Sequence, residues 1–223
     1  DDDFRRITEI ACAESLQLIT LTITEKGYQL NGYDGSYQDA VVEDLGRDPE
    51  SDRMSTAMGL VTALLVRRFH AGATPVAVVS CDNFSHNGDM LRTSVLTIAA
   101  EWEKRGVIDH RVVEWIAEKV EFPISVIDKI TPAPSQKVAE QLAAMGLEDM
   151  GIDPDVEVAG FVNTEPAEYL VIEDRFPNGR PELEKAGVYF TDRDTCYRFE
   201  RMKVTTCLNP LHTALAITGV LLR

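Results

Sequence analysis

Two short apolar runs rich in β-branched residues, 16–24 (LQLITLTIT) and 74–80 (TPVAVVS), most constrain the fold of this chain. Both are apolar on successive positions rather than alternate ones, the pattern of strands covered on both faces. Between them, residues 51–70 carry apolar side chains at helical spacing, closed by Ala71-Gly72. Helical patterns also occupy 4–15, 89–105 and 109–119. Strands alternating with helices in this way predict a parallel α/β sheet. In such sheets ligands bind at the carboxyl ends of strands. Thr24 and Glu25 stand at one such end, Asp82 and Asn83 at the other.

The texture changes after about residue 121. A strand at 122–127 leads into Asp128-Lys129 and a proline turn. Residues 135–145 read as a helix, 157–161 and 168–173 as short strands, and 175–187 as a Pro/Gly-punctuated loop. Residues 194–222 are strongly helical, with a break at Asn209-Pro210. Residues 29–50 are polar and Gly-rich and read as a loop. The predicted organisation is a Rossmann-like parallel sheet domain over 1–130, remaining sheet and connecting chain over 131–190, and the start of a mainly α-helical substrate domain from 191. No Gly-x-Gly-x-x-Gly follows a strand, although a nucleotide-binding sheet normally opens with that loop. The chain opens inside one helical pattern and closes inside another, which reads as an internal segment of a longer protein.

With 223 residues, 44% of them hydrophobic, the chain can build a sizeable core. A net charge of −15 argues against nucleic acid or an anionic membrane surface as partner. It leaves an anionic small molecule possible, because a pocket can be locally basic. Cysteines 12, 81, 196 and 207 show no Cys-x-x-Cys spacing, so they are expected to be reduced, buried thiols rather than metal ligands. No apolar run reaches the roughly 18 residues of a membrane span and no signal peptide is visible. The cytoplasm is the expected location.

Four groups of residues carry candidate chemistry. In FERMKVTTCLNPLH, Glu200 and Lys203 lie three apart on one helical face, and Asn209 and His212 three apart on the next. A lysine held in an apolar pocket gives up its proton more readily and can exchange one with a substrate hydroxyl. An Asn amide can donate to a developing alkoxide, His can orient a hydroxyl, and Glu can pass the proton to solvent. The same residues also make an ordinary Asn-Pro helix cap and a solvated ion pair. In the loop CDNFSHNGD after the second run, either Asn83 or Asn87 can supply another donor, and Asp82 can meet a cofactor. Turn and cap chemistry would use the same residue types. Asp128 stands at a strand end, where it can contact a nicotinamide or brace Lys203, or simply pair at the surface. Arg175 and Arg180, in YLVIEDRFPNGRP, can grip a carboxylate or lie in solvent.

Five stretches, taken together and in order, resemble the mannitol dehydrogenase / fructuronate reductase family, the polyol-specific long-chain dehydrogenases. They are LTITEKGY (21–28), SCDNFSHNGDMLR (80–92), FPISVIDKITP (122–132), VIEDRFPNGRP (171–181) and MKVTTCLNPLH (202–212). The resemblance implies metal-independent hydride transfer between NAD or NADP and a ketose or ketouronate. It puts the acid/base lysine at Lys203, its Asn and His partners at Asn209 and His212, the proton-channel glutamate at Glu200, and a second alkoxide donor at Asn83 or Asn87. The arginine-bearing loop favours a ketouronate of the fructuronate/mannonate type over a neutral polyol such as mannitol or arabinitol. Two departures stand out. Five residues separate Lys203 from Asn209 where the family commonly has four, and Ile127-Asp128-Lys129 replaces the frequent Val-Asp-Arg. The first is the one feature that would suit a catalytically silent scaffold or binding subunit.

Overall fold

A computed structural model describes residues 2–127, 131–155, 158–164 and 169–221. The chain divides into two compact units, one of residues 1–127 with 170–223 and a smaller one of residues 128–169. The strands after residue 169 return to the sheet of the first unit.

The larger unit opens with α1 (Asp2–Cys12) and β1 (Leu18–Leu21), followed by α2 (Asp39–Leu45), α3 (Ala57–His70) and β2 (Ala77–Ser80). β1 and β2 pair in parallel, Leu18 opposite Ala77 and Leu21 opposite Ser80. Next come α4 (Asn87–Lys104), α5 (His110–Lys119) and β3 (Ser125–Ile127). Just before β3, Glu121 bridges to β2: the Val78 N–H donates to the Glu121 carbonyl at 2.9 Å and the Glu121 N–H to the Val76 carbonyl at 3.2 Å. The unit is completed by β6 (Leu170–Glu173), β7 (Tyr189–Thr191) and α7 (Arg193–Glu200), then a π-helical segment over Arg201–Leu208 and α8 (Asn209–Leu221).

The expected Rossmann-like parallel sheet is present and includes one antiparallel pairing. β6 runs antiparallel to β3, Val126 opposite Val171, and β7 is parallel to β6, Ile172 opposite Phe190. A parallel return requires a crossover element packed on the sheet. The helix between β3 and β6 instead belongs to the smaller unit, so the chain re-enters the sheet in the opposite sense.

α3 begins where the Thr56 side chain accepts the Gly59 N–H at 2.9 Å. It buries nearly every side, Leu65 and Val66 completely. α4 faces it with Leu91, Val95, Ile98 and Trp102, and α5 adds Val112 and Ile116. Arg68 is wholly buried yet satisfied, donating to the carbonyls of Ala11, Ala13, Leu16 and Thr74. It thereby ties the end of α1 to the entrances of both parallel strands. α2 lies in a stretch expected to be loop. Its seven residues are too few to show a period, and it is pinned from outside by the Asp44 carboxylate, which accepts the N–H groups of Ser55 (2.6 Å) and Thr56 (2.8 Å).

The smaller unit holds α6 (Gln136–Ala144) and a short antiparallel pair, β4 (Ile152–Asp153) with β5 (Val158–Ala159). Among the described residues no helix is long and apolar enough to cross a membrane. The four cysteines are free, but only Cys196 is buried, and Cys207 is exposed.

Candidate active site

Because β1 and β2 are parallel, their carboxyl ends lie side by side. Asp82, just past β2, is buried there. Its carboxylate accepts the N–H groups of Ile23 and Thr24, each at 2.8 Å. The Tyr28 hydroxyl sits 2.6 Å from the same carboxylate and 2.8 Å from Ser80 Oγ. Burial first, then the Asp82 hydrogen bond, push the Tyr28 phenol above its ordinary pKa. The Asp82 carboxylate thus serves groups of its own chain. The reason is local: past the end of β1 the Ile23 and Thr24 N–H groups leave the sheet ladder, and the buried Asp82 carboxylate accepts them. Thr24 itself is exposed with φ of 64°, a strained setting for a β-branched residue. Glu25 beside it is also exposed.

Asn87 is engaged in the same way. It opens α4 almost fully buried, 1% exposed. Its amide nitrogen donates to the carbonyls of Asp82 (3.0 Å) and Ser125 (2.9 Å). Its oxygen accepts the N–H groups of Gly88 (2.8 Å) and Ser125 (3.2 Å). Both halves of the amide are thus engaged in joining the exit of β2 to α4 and β3. Gly88 allows that closeness, since a Cβ there would stand 2.7 Å from the Phe122 carbonyl oxygen. Of the two asparagines left open by the sequence, Asn83 is the exposed one.

A polar network not foreseen from the sequence joins the start of α4 to α7. Arg193 donates to Glu173 through Nε at 3.0 Å and to Asp89 through Nη1 at 2.8 Å. The Tyr197 hydroxyl donates to the other Asp89 oxygen at 2.5 Å, and the His86 ring stacks 4.7 Å from the Tyr197 ring. Burial raises the Asp89 carboxyl, but the hydrogen bonds from Tyr197 and His86 and the Arg193 charge prevail and hold it below the ordinary range. Burial, then the bond to Asp89, lifts the Tyr197 phenol to about 12. No local pattern announces this network, because Asp89 and Arg193 are 104 residues apart.

α7 is thereby held against the loop after β2, and between them runs a cleft of about 570 Å³. Ser85 and His86 border it on one side, Tyr197, Arg198, Glu200 and Arg201 on the other. The Ser85 hydroxyl donates to the Glu200 carboxylate across this cleft. Lys203 follows on the π-helical segment, half-buried, with its ammonium 5.9 Å above the Phe199 ring. Asn209 and His212 lie on α8 at exposed positions.

The expected break at Asn209-Pro210 is absent, and the helix runs through it. The irregularity lies upstream, in the π turns, where Thr206 Oγ1 donates to the Arg201 carbonyl at 2.7 Å. A proline lacks an N–H and crowds the carbonyl four residues earlier, and a widened turn relieves both. A π turn also takes in one more residue than an α turn, and the extra residue between Lys203 and Asn209 falls inside it. Arg175 and Arg180 are occupied elsewhere: Arg175 with Glu121 at 2.6 Å, Arg180 with Asp174 (2.8 Å), with Glu184 (2.6 Å), and over the Phe190 ring (3.5 Å). Asp128 lies outside the described residues.

Thr24, Glu25 and Asn83 are exposed, at the ends of the two adjacent parallel strands, the place where ligands bind in such sheets.

An α/β sheet with its polar cleft at the carboxyl ends of parallel strands is the Rossmann type. Residues 2–185 match the mannitol dehydrogenase Rossmann domain family, and the chain belongs to that family. It is 51% identical to the D-mannonate oxidoreductase of Thermotoga maritima, over 99% of this chain and 41% of that one. It is 35% identical to the polyol:NADP oxidoreductase of Gluconobacter oxydans, over 93% of this chain and 39% of that one. The Pseudomonas fluorescens mannitol 2-dehydrogenase, solved as a ternary complex with NAD and D-mannitol, superposes with a TM-score of 0.69 at 32% identity, over 90% of this chain and 38% of that one. The chain thus spans about two fifths of the length of these relatives.

Proposed function

We propose that the protein is an NAD- or NADP-dependent oxidoreductase that interconverts a keto sugar acid and its alcohol, of the fructuronate/mannonate type. The observation that carries this reading is 51% identity to a D-mannonate oxidoreductase along 99% of the chain. The nicotinamide, when bound, delivers or accepts the hydride. The chain's own residues handle the proton and the charge. Lys203, as an ammonium, protonates the nascent alkoxide, and as an amine takes the proton back in the oxidative direction. Asn83 and Asn209 donate hydrogen bonds to the alkoxide, and His212 orients a neighbouring hydroxyl. Glu200, bordering the cleft and hydrogen-bonded by Ser85, passes the proton toward solvent. This proton chemistry requires no metal. The four free cysteines suit the cytoplasm. The mannitol-oxidising relative favours a second reading, a neutral-polyol 2-dehydrogenase with the same residues in the same roles.

The test is the change in nicotinamide absorbance of protein expressed from its complete reading frame. D-mannonate and D-fructuronate should be turned over in preference to mannitol and fructose, with either cofactor and with chelator present. Preference for the neutral pair would move the assignment to the second reading. Silence with all four substrates, cofactor being bound, would make the protein a scaffold.

A further inference from the structure

Arg198 and Arg201 stand three residues apart, where α7 passes into the π-helical segment, and both border the cleft beside Ser85 and His86. Their neighbours in this acidic chain are matched internally: Arg193 with Glu173 and Asp89, Arg180 with Asp174 and Glu184, Arg175 with Glu121. Among the described residues Arg198 and Arg201 form no ion pair. Two carboxylates also border the cleft. Glu200 is already engaged by the Ser85 hydroxyl, and Asp194 belongs to the first turn of α7. A chain with net charge −15 thus keeps two guanidinium groups beside a cavity within the 300–1,000 Å³ typical of small-molecule sites. Guanidinium forks match the planar geometry of a carboxylate or a phosphate.

We propose that Arg198 and Arg201 bind the carboxylate of the sugar-acid substrate and set the preference for acids over neutral polyols. This rests on the reading of the protein as a sugar-acid oxidoreductase. It transfers the carboxylate-binding role from Arg175 and Arg180, which are occupied elsewhere, to a pair on the same helical run as Glu200 and Lys203. A nucleotide phosphate shares the oxyanion chemistry. The carboxylate is favoured because Glu200, which handles the substrate's proton, lines the same cleft.

The experiment compares Arg198→Ala, Arg201→Ala and the double variant with Arg92→Ala, a change at an exposed arginine on α4, all expressed from the complete reading frame. KM for D-mannonate, and its Kd by calorimetry in the absence of cofactor, should rise roughly 10- to 100-fold in each single variant. Arg→Lys at either position should recover part of the loss. KM for the cofactor, kcat/KM for D-mannitol and the melting temperature should stay level, and Arg92→Ala should behave as wild type. A change in D-mannonate affinity of less than about twofold overturns the proposal. So does an equal loss with D-mannitol, or a loss confined to NADP(H), which would assign the pair to a phosphate. Wild-type protein that binds D-mannonate without turnover, and loses that binding in the variants, supports the site and refutes the activity proposed above. Turnover of D-mannonate with unaltered KM in the variants does the reverse. Failure to bind D-mannonate at all overturns both.

Discussion

α3 and α8 are both rich in apolar residues, and they end in opposite environments. α3 is enclosed by α1, α4 and α5, and Leu65 and Val66 are fully buried. α8 buries none of its residues, with Leu215 67% and Val220 75% exposed. Apolar composition alone thus does not locate a core; a neighbour with a matching face does. The comparison also separates two kinds of polar residue. Those near the sheet, such as Asp82 and Asn87, are held by the chain's own groups on every side. Those on the helical run after the Arg193–Tyr197 network, from Arg198 onward, border a cleft or solvent, and the candidate chemistry is concentrated there.

The largest effect that would sharpen this contrast is on turnover. Lys203→Ala should lower kcat by about 10²- to 10⁴-fold, while cofactor affinity and melting temperature hardly move, since the side chain is only half-buried. Activity near wild type would show that the helical run does not carry the proton transfer. Next is stability within the sheet body. Leu65→Ala removes a fully buried side chain from the core and should cost about 2–5 kcal/mol in chemical denaturation. A cost below about 1 kcal/mol would mean that α3 is not the centre of the folded unit.

A smaller effect concerns the network joining the two regions. The Asp89 carboxyl is held below its ordinary range in the folded chain. Its contribution is therefore present above the unfolded value of about 4 and fades as pH falls through the lower folded value. Asp89→Asn should lower the melting temperature at pH 7, and the gap to wild type should shrink as pH falls below the unfolded value and through the lower folded one. A gap that does not vary with pH would show that the Arg193–Tyr197 side contributes nothing through charge. The smallest effect is expected at Leu215→Ala, within about 0.5 kcal/mol. A core-sized loss there would abolish the contrast between α3 and α8.

Much of the body was legible beforehand. The βαβ alternation, α4 and α5 follow from periodicity, and their ends fall within a few residues of the expected positions. α2 was hidden because seven residues show no period. β7 was hidden because three residues after a Pro/Gly loop look like loop. The direction of β6 depended on where the chain travels between residues 128 and 169, which periodicity does not encode. At the site, the three-residue spacing of Glu200 and Lys203 marked one helical run, and Glu200 borders the cleft. The intramolecular bonds of Asp82 and Asn87 were not legible, because a polar residue after a strand looks the same whether it serves a ligand or its own chain.

By itself, the order of residues determined the class of fold, the membership in a dehydrogenase family and the helical run that bears Lys203. These are properties of local pattern and of motif order, which survive without knowledge of any distant contact. Only the tertiary structure decided which polar groups are already satisfied and which face a cavity. It turned Asp82, Asn87, Arg175 and Arg180 toward the chain's own groups and set Arg198 and Arg201 beside Glu200. Hydrogen-bond satisfaction is settled by partners far away in sequence, and those partners meet only when the sheet and α7 are folded together.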